Sequence, residues 1–422
     1  VTLIGANDYA RNNSCRSIPE LVGRTLLKKP LILYVAPCWP HGKSFGSQTR
    51  VLHVGRALQQ IGDVRLAIID FAEDDQTVMC KSADEFAIEC SGRLRRLNPP
   101  SWASRIMRDF NPAVANPHDW RVDENVRDQI DRNLQKFDLI WLSNLRMANA
   151  FERWRWPRSV MDIDDVPSSY QKSVWQNGAG FRERVRAGLE MLVWRQREQR
   201  LGQRFNVLAV CSEADRQYLG AKTSVHVIPN GFARPTVEPQ SNRRSAERIG
   251  FIGPFSYPPN SQGVRWFVES CWPKIAQQIP GARLRLVGKD TAGAFPGMDD
   301  VDGLGWISDP SDEIATWSAM IVPTRVGAGT RVKIAEAFSR KCPVVSTRLG
   351  AFGYDVKNGR ELCLADSALE FARACVRLMR DPEEGSAMAN RAWQRFLDEW
   401  TWEAITPRIW AAAEDCLRQS RN

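Results

Sequence analysis

The feature that most constrains the fold is a rhythm of short apolar runs, each closed by a turn and followed by a stretch with helical period. Leu31 to Ala36, LILYVA, is the first; it ends in the Pro/Gly-rich PCWPHGKSFGSQ. Runs this short and this continuously apolar suit strands buried on both faces, the condition of a parallel sheet. Val51, Val54, Leu58 and Ile61 then keep a helical spacing, and Val64 to Ile69 supplies a second strand, which completes a βαβ unit. Further strands are expected at Leu139 to Leu142, Val160 to Ile163, Val207 to Val210 and Val225 to Ile228. An arginine-rich helix is expected from Arg182 to Arg204, with seven Arg against three Glu.

The rhythm is interrupted once. From Phe232 to Arg248 the chain has Pro235, Pro239, Ser and Asn with little apolar period, which reads as an interdomain linker. Beyond it the pattern resumes: strands at Ile249 to Ile252 and Arg283 to Val287, a short helix at Ile314 to Ala319, strands at Met320 to Val322 and Pro343 to Ser346, and between these last two a helix entered at Thr330. The expected fold class is α/β, built from two successive βα domains, and 422 residues are enough for two cores. The divisions expected are an N-terminal extension (1–30) with a short helix at Ile18 to Leu27, a first domain (31–231), the linker (232–248), a second domain (249–396) and a C-terminal segment (397–422).

Bulk properties narrow the function. A formal charge of +9 suits an anionic partner, but the basic residues are mixed with acids rather than gathered into a nucleic-acid arm. Ten scattered cysteines without a CxxC pair, and four histidines far apart in sequence, argue for a reduced, cytoplasmic protein without a zinc or His-based site. No apolar run reaches the length of a membrane span, so membrane contact is expected to be peripheral.

Chemistry concentrates in GAGTRVKIAEAF, Gly327 to Phe338. Gly327 and Gly329 allow a tight turn close to a ligand, and Thr330 is a suitable N-cap. A helix N-terminus offers free N–H groups and a positive dipole, as a diphosphate requires. Arg331 and Lys333 add cations that oppose that dipole, so an anionic ligand would justify them; a solvated surface helix is the bland alternative. Glu336 lies on the same face as Lys333 and can accept two hydrogen bonds from a diol such as ribose. At Asp162-Ile163-Asp164-Asp165 a second reading arises, because paired carboxylates at a strand end can hold Mg2+ or Mn2+.

GAGTRVKIAEAFSRKCPVVST resembles the donor segment of glycosyltransferase family 4, E-G-x-G-x-P-x-x-E-A, and more closely its subgroup reading G-G-G-T-R-x-K-x-x-E-A. FIGPFSYPPN, RLVGKD, VDGLGWISD, VIPNGF and WTWE are similar to further family segments, in the family's order. PHGKSFGSQTR, MDIDDV and CSEAD match more loosely.

The resemblance implies the GT-B fold, two Rossmann-like domains facing across a cleft, with a C-terminal helix crossing back to the first domain. It implies transfer of a sugar from a UDP- or GDP-sugar to a saccharide or lipid-linked acceptor, with retention of configuration and no metal or other cofactor. Polysaccharide or glycoconjugate assembly, peripheral to the inner face of a membrane, would be the setting. Donor contacts would come from Gly253, Gly327, Gly329, Thr330, Arg331, Lys333 and Glu336, with Trp306 and Ile307 beside the base. Arg331 and Lys333 would stabilise the leaving diphosphate, and Arg325 would add a third charge. The acceptor side would draw on Gly46, Ser47, Arg50, Asn144 and Asp164.

The chain also departs from the family pattern. Ala328 stands where the first glutamate is usual, and no Arg or Lys follows Gly253. A nucleotide-sugar-binding protein without turnover is therefore one alternative, and a metal-dependent GT-A enzyme using Asp162 and Asp164 is the other.

Overall fold

The computed structural model describes residues 29–42, 46–70, 84–96, 108, 110–117, 120–178, 180–220, 223–239 and 244–420. The helix expected at Ile18 to Leu27 lies outside them.

Two sheets carry the molecule. The first takes β1 (Leu31–Ala36), β2 (Asp63–Asp70), β3 (Ala87–Arg96), β4 (Trp120–Val122), β5 (Leu139–Ser143), β6 (Ser159–Ile163), β7 (Val207–Val210) and β8 (Ser224–Val227), in the order β4-β3-β2-β1-β5-β6-β7-β8. Every pairing is parallel except β3 with β4. The second sheet takes β9 (Ser245–Ile252), β10 (Arg283–Val287), β11 (Val301–Gly305), β12 (Trp317–Val322), β13 (Val344–Ser346) and β14 (Cys363–Leu364), in the order β11-β10-β9-β12-β13-β14, all parallel. The strands Leu31–Ala36, Leu139–Ser143, Ser159–Ile163 and Trp317–Val322 are buried almost throughout, as their unbroken apolar character requires. This is the α/β architecture of two Rossmann-like sheets.

In each sheet the order reverses at one point, between β1 and β5 in the first and between β9 and β12 in the second. Open α/β sheets bind ligands outside the carboxyl ends of their strands at such a reversal. The loops that matter therefore follow β1, β5 and β6 on one side and β9 and β12 on the other.

Six helices position the site: α1 (Gly46–Gln59), α2 (Pro167–Asn177), α3 (Phe181–Glu198), α4 (Pro258–Ser270), α5 (Val332–Ser339) and α6 (Trp402–Gln419). The last belongs to the second half of the chain yet completes the first domain's core. Trp402, Ile405, Ile409, Ala412, Ala413 and Cys416 pack with Leu58, Trp141 and Val207, and Trp410 Nε1 donates to the Ala57 carbonyl at 2.9 Å. Where the chain crosses, Phe232 N–H donates to the Trp400 carbonyl at 2.9 Å and Phe232 bridges to Thr401. The outgoing and returning strands of the hinge thus lie side by side.

Several local expectations are corrected. The helix expected at Ile314 to Ala319 is confined to Ser311–Ile314, and β12 already starts at Trp317, because the side chains from Trp317 to Val322 are all buried between helices. Strand β9 begins at Ser245, inside the segment assigned to the linker, where Ser245 N–H donates to the Thr316 carbonyl at 2.8 Å. The basic helix breaks after Glu198 and resumes as Leu201–Arg204.

Candidate functional site

The loop after β12 and the helix α5 form the centre of the site. Helix α5 starts at Val332 with Arg331 in the cap position, so Thr330 is not the N-cap. Its hydroxyl accepts instead from Asn230 Nδ2 at 3.1 Å. Asn230 comes from the VIPNGF hinge, and the same amide nitrogen donates to Asp164 Oδ1 at 2.9 Å, so one side chain ties the loop after β6 to the loop after β12.

The two domains touch at further points around this tie. Gly327 N–H donates to Ser173 Oγ of α2 at 2.9 Å. A Cβ on Gly46, at the start of α1, would lie 3.1 Å from Val332 Cγ2. Gly329, at φ +71°, brings its backbone so close to Asp165 that a Cβ would collide with the carboxylate. Only glycine meets both demands there, a left-handed backbone and no side chain.

Arg331 is anchored at its backbone and at its guanidinium. Tyr354 OH donates to its carbonyl at 2.9 Å, and Nη1 donates to the carbonyl of Ala328. Its Nε and Nη2 are buried and have no hydrogen-bond partner among the described residues. A buried guanidinium nitrogen left unpaired costs a large fraction of its desolvation, and an anion beside these two donors would satisfy them.

Lys333 lies one residue past the start of α5. Its Nζ donates to Asn260 Oδ1 of α4 at 2.8 Å and stands 4.0 Å from the centre of the Phe251 ring. Gly253, at φ +146°, gives it room: a Cβ there would be 3.1 Å from Nζ. Burial, with help from the Arg331 charge, pulls the Lys333 ammonium down to about 7. The ammonium thus reaches the loop after β9 from α5, although no Arg or Lys follows Gly253 in sequence.

Glu336 Oε1 accepts from Arg340 Nη2 at 3.0 Å, and Arg340 Nη1 lies 3.7 Å from Asp309. Arg340 therefore draws the segment after β11, with Trp306 and Ile307, toward α5. Trp306 is 60% exposed, whereas Ile307 packs on the core beneath. Burial raises the Glu336 carboxyl, and Arg340 works against that rise. Arg325 does not join Arg331; it donates to the Asp366 carbonyl at 3.0 Å and stacks over Trp266.

Across the cleft stand Asp164 and Asp165. Asp165 is exposed to the gap between the domains but walled by protein, and that enclosure and the neighbouring Asp164 charge push its carboxyl up to about 7, with Arg331 opposing. Asp215, hydrogen-bonded by Ser212 Oγ at 2.6 Å, is raised to about 6 chiefly by burial.

Other expected acceptor residues have internal roles. Arg50 is 3% exposed, and its guanidinium donates to Asp162 Oδ1 at 2.7 Å, Asp162 Oδ2, Asn230 Oδ1 and the carbonyls of Pro229 and Ile228, each of these four at 3.1 Å. Its donors are all spent, so it positions Asn230 and does not reach a ligand. Asp162, clamped by that guanidinium and 1% exposed, is likewise withdrawn from the paired-carboxylate metal reading. Asn144, at φ +78°, caps the helix Leu145–Ala150 through Oδ1, accepting from Arg146 N–H at 2.9 Å. Ser47 is exposed and hydrogen-bonds the Cys38 thiol. The sequence gives no separate role to Asp165, Ser173, Asn230 or Asn260; Asp165, Asn230 and Asn260 lie inside its motifs, while nothing in sequence pairs Ser173 with Gly327 or Asn260 with Lys333.

Residues 246–381 match the family model described as glycosyl transferases group 1. An uncharacterized 44.6 kDa protein in the cps region of Klebsiella pneumoniae is 22% identical over 221 residues, 49% of this chain and 56% of that protein. The chain thus spans about half the length of that curated relative. Sucrose-phosphate synthase from Thermosynechococcus elongatus superposes with a TM-score of 0.62 at 15% identity, over 93% of this chain and 100% of that one. HepE from Anabaena, solved in complex with UDP-glucose, gives 0.58 at 14% identity, over 91% and 99%. WaaG, a glycosyltransferase involved in lipopolysaccharide biosynthesis, gives 0.56 at 12% identity, over 90% and 99%. The chain has the GT-B fold and carries a glycosyl transferases group 1 domain in its second half.

Proposed function

We propose that the protein is a glycosyltransferase of family 4 that moves a sugar from a nucleoside diphosphate to a saccharide or lipid-linked acceptor, with retention of configuration and without a metal or other cofactor. The observation that carries this reading is the pair of buried, unpartnered nitrogens on half-buried Arg331, beside the Lys333 ammonium at the reversal point of the second sheet. Two fixed cations there suit a diphosphate whose charge grows as the glycosidic bond breaks. UDP is the favoured nucleotide, because HepE was solved with UDP-glucose.

The roles follow from position. Gly253, Gly327, Gly329 and Thr330 form the backbone cradle, Glu336 receives the ribose hydroxyls while held by Arg340, and Trp306 and Ile307 flank the base. Retention follows if the acceptor hydroxyl bonds to the anomeric carbon on the same face from which the carbon–diphosphate bond breaks; the departing diphosphate oxygen then takes the hydroxyl proton, and no separate base on the protein is needed. Asp164 and Asp165, with the start of α1 at Gly46 and Ser47 and the turn at Asn144, face the acceptor. Polysaccharide or glycoconjugate assembly is the proposed setting, in keeping with the Klebsiella relative in a cps region, and the proposed place is peripheral to the cytoplasmic face of a membrane.

Ala328, 2% exposed where the family has a glutamate, favours a second reading, a nucleotide-sugar-binding protein without turnover. Incubation with UDP- and GDP-sugars in the presence of EDTA separates the two. Slow release of the nucleoside diphosphate that disappears in Arg331→Ala supports the enzyme. Tight binding without release supports the second reading, and no binding of any sugar nucleotide overturns both.

A further inference from the structure

The helix pair α2 and α3 has an inner and an outer face. On the inner face Val174 and Ala187 enclose Val326, the residue before Gly327, while Ser173 holds the Gly327 N–H. This pair is the wall against which the donor loop rests.

The outer face is apolar and open. Val185, Leu189 and Leu192 follow Phe181 by four, eight and eleven positions, which places all four on one stripe of α3. They are 80% (Phe181), 47% (Val185), 50% (Leu189) and 57% (Leu192) exposed, and Trp175 of α2, 45% exposed, lies over Gly188 at the edge of the stripe. At about 100° per residue, Arg182 and Arg186 flank the stripe on one side and Arg184 on the other, while Glu183, Glu190 and Glu198 fall on the opposite half of the helix. Glu190 pairs with Arg186 at 2.6 Å and Glu198 is buried against Ser168, so neither acid reaches the apolar face.

The geometry points to an anionic lipid bilayer as the occupant of this face. An apolar stripe flanked by guanidinium groups matches an interface where acyl chains meet negative headgroups: the stripe enters the acyl boundary and the arginines stay at headgroup level. A second copy of the chain fits less well. Two copies meeting through this face would bring Arg182 and Arg184 of one copy against those of the other, with no acid on the stripe between them. No described helix is long and apolar enough to cross a membrane. The inference deepens the peripheral membrane placement proposed above and brings the bilayer to the wall of the cleft.

The test is co-sedimentation of the full chain with vesicles of phosphatidylcholine alone or mixed with phosphatidylglycerol. Binding is expected to the mixed vesicles only, to weaken with salt, and to fall at least about tenfold in Leu189→Glu/Leu192→Glu and in Arg182→Gln/Arg186→Gln. UDP affinity, measured in parallel by calorimetry, is expected to be unchanged in both variants, so failure of the lipid inference and failure of the donor reading are distinguishable. Equal binding to both vesicle types, undiminished binding by both variants, or a dimer that Leu189→Glu/Leu192→Glu dissociates overturns the inference.

Discussion

The carboxylate of Asp165 occupies the space that a side chain on Gly329 would need, so the donor loop of the second domain and the acid pair of the first meet without room for a single added carbon. Gly329→Ala must also place Ala at φ +71°, at a cost of about 1–2 kcal/mol. We expect kcat to fall on the order of 100-fold with a small decrease in Tm, because the substitution displaces the loop rather than removing a contact. Steady-state kinetics beside thermal unfolding checks this; retention of full activity would show that the domains need not approach this closely.

Arg331 presents the opposite case, a half-buried guanidinium with two donors that no described residue accepts from. Arg331→Met removes two unpartnered buried donors, a gain that offsets the loss of its charge beside Asp165, so the ligand-free protein should be about as stable as the wild type. UDP affinity should drop by roughly 10- to 100-fold, the range of one or two charge-assisted hydrogen bonds. Thermal shift with and without UDP reads both; a lowered Tm in the absence of ligand would mean that Arg331 is structural.

The ammonium of Lys333, drawn down to about 7 from an ordinary value of 10.5, gives a pH signature. Between these values the unfolded chain holds the proton and the folded chain does not, so this group makes stability rise with pH across that window. A diphosphate beside the ammonium restores the charged form, so UDP binding at pH 8 should take up a proton. Calorimetry in buffers of different ionisation enthalpy measures the uptake, which Lys333→Met should abolish.

Asp162 separates the structural from the metal reading of its motif. Asp162→Asn leaves Arg50 buried without its carboxylate and should cost about 3–5 kcal/mol of stability. Activity of the wild type should survive chelator. Loss of activity with EDTA together with unchanged stability in Asp162→Asn would reinstate the metal.

The core strands were legible in sequence because burial on both faces leaves an unbroken apolar signature, as in LILYVA and in Val207 to Val210. β3 was not, since AIECSGRLRR alternates with charges and pairs with β2 on one side and only the three-residue β4 on the other. The start of β9 was hidden for a similar reason: Ser245 to Arg248 are polar and become strand only through neighbours that are distant in sequence. At the site, the glycines, Arg331, Lys333 and Glu336 could be read from one contiguous motif. What sequence could not supply was who stands opposite them. Nothing local distinguishes Asn230 as the bridge between Asp164 and Thr330, or Arg50, mid-helix, as that bridge's support rather than a ligand contact.

The side-by-side hinge at Phe232 and Thr401 has a consequence for how this molecule can be divided. Because α6 fills the core of the first domain, that domain is not a contiguous stretch of chain. A fragment ending in the exposed segment between Arg234 and Glu238 would leave the sheet around Trp141 and Val207 uncovered, and its complement would carry an apolar helix with nothing to cover it. Cleaved after folding, the same two fragments would stay together as one particle, held by the helix each needs the other to bury.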